Sequence, residues 1–325
     1  MRTRIVATGS AVPSRVLRNA DLARLVATSD EWIVERTGIR ERRVAPAGMG
    51  SSDLGTEAAR AALASGRWDA ADLDLILVAT CTPDMPLPST ACLIQRNLKA
   101  RRAMAFDVSA ACSGFLYGLS VADLYVRAGT CQRVLVVGTE VMSSIIDWTD
   151  RSTCILFGDG AGAVLVEPST DDRGILSTHL HSDGDLWDLV CVPGGGSRLP
   201  ASDKMLAERQ QYMRMKGNET FKVAVKTLEA TAREALIANE LEVTDIDLFI
   251  PHQANLRILH AVMERLNLEK DRVVINMDRY GNTSAASIPL ALDEAVRVGR
   301  VKPGSLILMA AFGSGLTWAS AVVKW

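Results

Sequence analysis

Six cysteines occur in the 325-residue chain, and one sits where thiol chemistry is favoured. Cys112 lies in F-D-V-S-A-A-C-S-G-F-L-Y-G, residues 106–118, directly after a short apolar run, 103–108, that reads as a strand. Small neighbours, Ser109, Ala110, Ala111, Ser113 and Gly114, leave room for a substrate. A helical pattern, Phe115, Leu119, Ala122 and Val126, follows and stops at Gly129. At a strand-to-helix junction, unpaired N–H groups and the positive helix end lower a thiol's pKa and raise its thiolate fraction. Cys112 is therefore read as a nucleophile. Most free cysteines are instead small buried hydrophobes. Cys81, Cys92, Cys131, Cys154 and Cys191 lie in or near apolar runs without C-x-x-C or His-bearing spacing, so they read as core thiols, with no metal site and no redox pair.

The elements that must position Cys112 come from a repeat. Asp72-Leu73-Asp74-Leu75 matches Asp245-Ile246-Asp247-Leu248, Ser109-Ala110-Ala111 matches Ser284-Ala285-Ala286, and Val134-Leu135-Val136 pairs with Leu306-Ile307-Leu308. The offsets, 245 − 72 = 173, 284 − 109 = 175 and 306 − 134 = 172, are nearly one spacing. Two duplicated α/β halves, residues 1–172 and 173–325, are expected to form a layered α-β-α-β-α sandwich with its site at the carboxyl ends of strands. His252 closes the strand 248–251 at the position expected to match Thr80, and Asn282 lies in Y-G-N-T-S-A-A-S-I-P, the counterpart of the cysteine loop. A lone His is more often structural, as read here for His179, His181 and His260, and an Asn in a turn is usually only a turn residue. Here Cys, His and Asn converge from equivalent positions. The loop Phe312-Gly313-Ser314-Gly315-Leu316 adds exposed N–H groups suited to an oxyanion hole.

Composition narrows the class. With 48% hydrophobic and 23% charged residues and a net charge of −2, the chain can bury a large core, and no overall basic field points to nucleic acid or a membrane surface. No apolar run reaches the ~18 residues of a membrane span, and the start lacks a signal-peptide h-region, so a cytoplasmic protein is expected. Gly158, Gly160 and Gly162 lack the strand-turn-helix setting of a dinucleotide fingerprint and read as sites of tight packing. The segment 31–43, E-W-I-V-E-R-T-G-I-R-E-R-R, is either a charged helix with one buried Trp or a local site for phosphate and a purine ring.

Taken together, A-A-C-S-G at Cys112, P-H-Q-A-N-L-R at His252, G-N-T-S-A-A-S at Asn282, F-G-S-G near the end and T-S-D-E-W-I-V-E-R-T-G-I-R-E-R near the start closely resemble the β-ketoacyl-acyl carrier protein synthase III family, which has the thiolase fold. The resemblance covers essentially the whole chain. It implies a cytoplasmic homodimer that initiates type II fatty acid biosynthesis by decarboxylative condensation of a short acyl-CoA primer with malonyl-acyl carrier protein. By the same resemblance Cys112 carries the acyl group, His252 and Asn282 act on the malonyl thioester, and the N–H groups of Cys112 and Ser314 form the oxyanion hole. Trp32 and Arg151 match positions that sandwich the adenine of coenzyme A, Arg36 a phosphate contact, and Phe221, Ala254 and Asn255 the pantetheine tunnel. Lys222 and Arg257 match positions where the acidic carrier protein docks. No cofactor is implied, since acyl-CoA is a substrate. The chain departs from the family's best-known pattern at Leu87, where a Phe limits acyl length across the dimer interface, and also at Thr220 and Ser314. Other readings are a relative with a different acceptor in secondary metabolism, a Cys/His/Asn hydrolase, and a non-catalytic acyl-CoA or carrier-protein binding module.

Overall fold

The computed structural model describes residues 2–325. The first half carries β1 (Thr3–Ala11), α1 (Asp30–Thr37), α2 (Ser51–Gly66), β2 (Leu75–Ala79), α3 (Thr90–Leu98), β3 (Met104–Val108), α4 (Gly114–Arg127), β4 (Val134–Glu140) and β5 (Gly160–Pro168). Its five strands form one sheet in the order β1-β5-β4-β2-β3, with β2 parallel to β3 and β4 and β5 antiparallel to its neighbours. The second half carries β6 (Gly174–Ser182), α5 (Gly217–Ala238), β7 (Leu248–Pro251), α6 (Leu256–Leu266), α7 (Ser287–Arg297), β8 (Leu306–Gly313) and β9 (Thr317–Lys324). These four strands make a second sheet, β7-β8-β9-β6. Its edge position is reduced to one parallel bridge between Phe249 and Val273.

The two sheets share one topology, and their register shows a single offset. Leu75 pairs with Val134 and Leu248 with Ile307, so 248 − 75 and 307 − 134 both equal 173. The 3-10 turns Ala111–Ser113 and Ser284–Ala286 repeat the same 173, and both open at left-handed residues, Ala111 (φ 44°) and Ser284 (φ 49°). The S-A-A match at 175 is therefore two residues out of register. Asn282 is the counterpart of Ser109, Ala285 of Cys112, and His252 of Ala79 rather than Thr80. The misleading cue was composition, since small residues fill both turns.

Layering follows from burial. β2 and most of β4 are apolar and fully buried, as strands covered by helices on both faces must be. Helices α4 and α7 lie between the sheets, where Phe115, Leu116, Leu119, Ile288 and Leu292 join strand residues such as Leu77, Val136, Ile250 and Met309 in one core. Helices α2 and α3 cover the outside of the first sheet and α5 and α6 that of the second. The halves approach so closely that a Cβ on Gly162 would lie 2.5 Å from Leu290 N, and one on Gly158 2.2 Å from Tyr280 O. The glycine run is thus a packing device, as its setting suggested.

Candidate active site

The strand ends of both halves open into one cavity of about 920 Å³, lined by Cys112, His252, Asn282 and Ser314 among others. Cys112 occupies the short turn that feeds α4. That turn is pinned to the β8–β9 hairpin, because Ser113 Oγ donates to Thr317 O (3.0 Å) and Thr317 Oγ1 donates to Ala110 O (2.9 Å). Gly313 lies against it, and a Cβ there would stand 2.7 Å from Cys112 N and 3.2 Å from Ser113 N. The Ser314 segment therefore runs directly beside the Cys112 N–H. Ser314 Oγ donates to Val190 O, which fixes the residue.

The expectation of a lowered thiol pKa is corrected. Burial pushes Cys112 up to about 12; a Ser284 hydrogen bond lowers it and the nearby Glu140 raises it further. Desolvation at the cavity floor outweighs the helix end, although Cys112 keeps partial exposure to the cavity. The reading of the other five cysteines as core also fails in part. Cys131 and Cys154 are buried, but Cys81 and Cys191 line the cavity and Cys92 is half-buried.

His252 follows β7, is 2% exposed, and is anchored by its N–H to Ala310 O (2.8 Å). Its Nδ1 lies 2.7 Å from Ser287 Oγ, which also accepts from Gln253 N–H (3.4 Å). A Ser287 hydroxyl hydrogen directed at Nδ1 places the imidazole hydrogen on Nε2, facing the cavity side of the ring. Burial drives the His252 pKa down to about 3, so the ring is neutral near pH 7. Asn282, 6% exposed, is held by N–H to Leu156 O (2.8 Å) and by its carbonyl accepting from Gly158 N–H (3.0 Å). Its Oδ1 accepts from Ser284 N–H (2.8 Å), which leaves the amide NH2 as its free donor. The floor thus presents two neutral N–H donors and a thiol, a set suited to thioester chemistry that generates an oxyanion.

Arg36, Phe221, Lys222, Ala254, Asn255 and Arg257 also line the cavity, as does Thr220. Asn255 caps α6, its side chain accepting from Arg257 N–H, and the Arg257 guanidinium lies 5.6 Å from the Phe221 ring centroid. Trp32 is on α1, whose cap Ser29 accepts from Trp32 N–H (3.1 Å). The Arg36 and Arg151 guanidiniums each lie 4.6 Å from the Trp32 centroid, and Arg151 Nη1 donates to Ala27 O (2.8 Å). The 31–43 segment is helical to Thr37, and Trp32 is half-buried beneath Arg36 and Arg151 rather than fully buried. Leu87 is 84% exposed and outside the cavity of its own chain.

Several residues of the site escaped sequence reasoning. Ser287 and Thr317 looked like ordinary hydroxyls. Arg42 is fully buried and donates to Leu17 O (3.2 Å), Asn19 Oδ1 (2.8 Å) and Ile155 O (2.7 Å), bracing the segment that holds Asn282. Glu140 did leave a signal, as the one acid at the end of the apolar run V-L-V-V-G-T-E.

Comparisons with known proteins show the family and the fold of this chain. Residues 106–184 match the family described as 3-oxoacyl-[acyl-carrier-protein (ACP)] synthase III, and residues 236–325 its C-terminal part. The β-ketoacyl-[acyl-carrier-protein] synthase III of Roseiflexus castenholzii is 55% identical over 317 residues, covering 98% of this chain and 96% of that protein. Its namesake from Alkalilimnicola ehrlichii is 53% identical, covering 99% of each. Among solved structures, 3-oxoacyl-[acyl-carrier-protein] synthase III from Aquifex aeolicus matches with a TM-score of 0.92 and 48% identity, covering 99% of this chain and 100% of that one. A priming β-ketosynthase from the R1128 polyketide biosynthetic pathway matches with a TM-score of 0.92 and 37% identity, covering 99% and 96%.

Proposed function

Because this chain belongs to the 3-oxoacyl-[acyl-carrier-protein] synthase III family, with its thiolase-type fold, we propose that it condenses an acyl-CoA primer with malonyl-acyl carrier protein, giving 3-oxoacyl-carrier protein, CO2 and CoA. The observation that carries the proposal is the convergence of one thiol and two neutral donors, from both halves, on a single cavity. Cys112 attacks the primer thioester, and the Cys112 and Ser314 N–H groups receive the carbonyl oxygen as it becomes an oxyanion. CoA leaves and the malonyl arm enters. As the malonyl carboxylate departs as CO2, charge moves onto the thioester oxygen, where His252 Nε2–H and the Asn282 amide meet it. Neutral donors suit this step, because they stabilise the developing enolate without protonating its carbon. The carbanion then attacks acyl-Cys112, the carbon–sulfur bond breaks with its electron pair on sulfur, and the Cys112 thiolate takes up a proton to return to the thiol.

The nucleotide end of CoA rests on Trp32, Arg36 and Arg151, and its pantetheine arm passes Phe221, Ala254 and Asn255. Lys222 and Arg257, at the same cavity, offer positive charge to an acidic carrier protein. A homodimer brings the exposed Leu87 of one subunit to the primer end of its partner. The residues and the two thioesters supply the chemistry, so no cofactor is required. Among the described residues no helix is long and apolar enough to cross a membrane, in keeping with a cytoplasmic role in fatty acid initiation. The likeness to a polyketide priming enzyme favours a second reading, the same reaction with a secondary-metabolite acceptor.

The test is an end-point assay with acetyl-CoA and malonyl-acyl carrier protein. Wild type should release CO2 and form the 3-oxoacyl product, and Cys112→Ala should form none. Hydrolysis of acetyl-CoA without condensation would overturn the reading in favour of a hydrolase.

A further inference from the structure

His252 and Asn282 have to meet one thioester oxygen, yet they stand 282 − 252 = 30 residues apart in the chain. His252 follows the end of β7, and Asn282 comes just after a short helical turn, Met277–Tyr280. Helix α7 reaches both segments. Ser287, its first residue, holds Oγ 2.7 Å from His252 Nδ1. Glu294 lies 294 − 287 = 7 residues further on, hence on the same face of the helix, and its carboxylate collects four side-chain bonds from the segment that leads to Asn282. Asn276 Nδ2 (2.8 Å) and Arg279 Nη2 (3.0 Å) donate to Oε2, and Arg279 Nη1 and Tyr280 Oη (2.7 Å each) donate to Oε1. Burial pushes the Glu294 carboxyl up, but Arg279, Asn276 and Tyr280 together hold it below the usual carboxylate range, so it is ionised near pH 7.

Gln253 closes the network on the other side. It is buried, its Oε1 accepts from Asn276 N–H (3.0 Å), and its Nε2 donates to Pro251 O (2.8 Å) and Val274 O (3.0 Å). A continuous path therefore runs from His252 through Gln253, Asn276 and Glu294 to Tyr280, two residues before Asn282. Stability alone is a poor reason for it, because ion pairs with one partner half-exposed, as Arg279 is, contribute little. The fold does not demand it either. Helices α4 and α7 begin at one repeat offset, 287 − 114 = 173, and at that offset the counterpart of Glu294 is Val121, which packs against the apolar core. The acid stands in the half that presents two donors, and an apolar residue stands in the half that presents the thiol.

We propose that Glu294 is a positioning residue for the carbanion-forming step, holding the Asn282 amide where it and His252 Nε2–H reach the same oxygen. This rests on the reading of His252 and Asn282 as donors to the malonyl thioester. The backbone of Asn282 is tied to the first half, through Leu156 O and Gly158 N–H, and Arg40 N–H ties the preceding turn to that half as well by donating to Asp278 O (2.9 Å). His252 belongs to the second half. The Glu294 cluster is the side-chain tether that fixes the Asn282 segment to the helix and strand that carry His252. Donors that act on a developing charge need close placement, and a misplacement of 1 Å costs about 10²-fold in rate. Acylation of Cys112 uses neither donor, so it does not depend on Glu294.

The test uses Glu294→Gln and Tyr280→Phe in the full chain. Glutamine keeps the size of Glu294 but cannot accept all four donors, and Tyr280→Phe removes a single oxygen, so one variant with a minimal change stands beside the stronger one. Acetylation of Cys112 by acetyl-CoA and CO2 release from malonyl-acyl carrier protein are followed separately, each normalised to the folded fraction. Crystal structures of wild type and Glu294→Gln locate the Asn282 amide. Glu294→Gln should acetylate within twofold of wild type and release CO2 at least about tenfold more slowly, in kcat rather than KM, with Asn282 shifted relative to His252. Tyr280→Phe should show the same split at about fivefold, as one lost hydrogen bond is worth. Equal losses in both half-reactions, wild-type CO2 release in either variant, or an unmoved Asn282 overturns the positioning role. A shifted Asn282 in Glu294→Gln, beside a wild type that releases no CO2 from malonyl-acyl carrier protein, supports the positioning and overturns the condensation reading instead.

Discussion

Gly313→Ala tests how tightly the nucleophile is held. The Cβ of an alanine would meet Cys112 N at 2.7 Å, where ordinary contact begins at 3.4 Å, so 3.4 − 2.7 = 0.7 Å must be absorbed. The obstacle is backbone on both sides, since Ser113 N is 3.2 Å away and the turn is pinned through Ser113 and Thr317. Neither side can rotate out of the way. The strain falls on the two N–H groups assigned to the oxyanion. A misplacement of 1 Å costs about 10²-fold in rate, so 0.7 Å scales to roughly 20- to 30-fold, and full loss of one donor to about 10²- to 10³-fold. Overpacking alone should cost about 1–3 kcal/mol of stability. The assay is single-turnover acetyl transfer to Cys112, followed by intact mass and normalised to the folded fraction from thermal melting. Acetylation within twofold of wild type would refute the claim that Gly313 is there to let the Ser314 segment approach Cys112.

Other outcomes follow from the same geometry. Ser287→Ala frees His252 Nδ1, so condensation should fall about tenfold while Cys112 acetylation is unchanged; equal loss in both steps would count against the tautomer assignment. His252 titrates near 3 in the fold against 6.5 ordinarily, so the unfolded chain takes up protons that the folded one refuses. The stability this gives is present above pH 6.5 and lost as pH falls toward 3. Between pH 7 and 5 the loss is about 2 kcal/mol, from 1.5 units at about 1.4 kcal/mol each. Denaturant titrations of wild type and His252→Gln at both pH values should differ by that amount, and parallel losses would show that His252 is not the group involved. With Leu87 in place of a bulkier Phe, acyl groups somewhat longer than acetyl should be accepted; kcat/KM for acetyl-, butyryl- and branched acyl-CoA decides this, and turnover of acetyl alone would contradict it.

Much of this was legible in the sequence, for identifiable reasons. Cys112, His252 and Asn282 stand at strand ends of a repeat, and short apolar strands with small-residue turns survive as pattern. What the pattern could not fix was register within turns of uniform composition, which placed Ser284 opposite Ser109 instead of Ala111. Nor could it show burial around a single atom. The helix end behind Cys112 is visible in sequence, but the cavity floor that raises its pKa comes from residues far along the chain. Ser287 and Thr317 hold the site through partners 35 and 207 residues away, His252 and Ala110. Cys81 resembles the buried Cys131 and Cys154 in its neighbours and differs only in facing the cavity.

The central claim is a division of labour, in which the first half carries the acyl group and the second makes the carbanion. The direct measurement is intact mass of His252→Ala and Asn282→Ala after exposure to acetyl-CoA, with malonyl decarboxylation followed in the same samples. Both variants should gain one acetyl group, as wild type does and Cys112→Ala does not, while losing decarboxylation. Variants that fail to acetylate, or that acetylate and still release CO2 at the wild-type rate, would contradict the division.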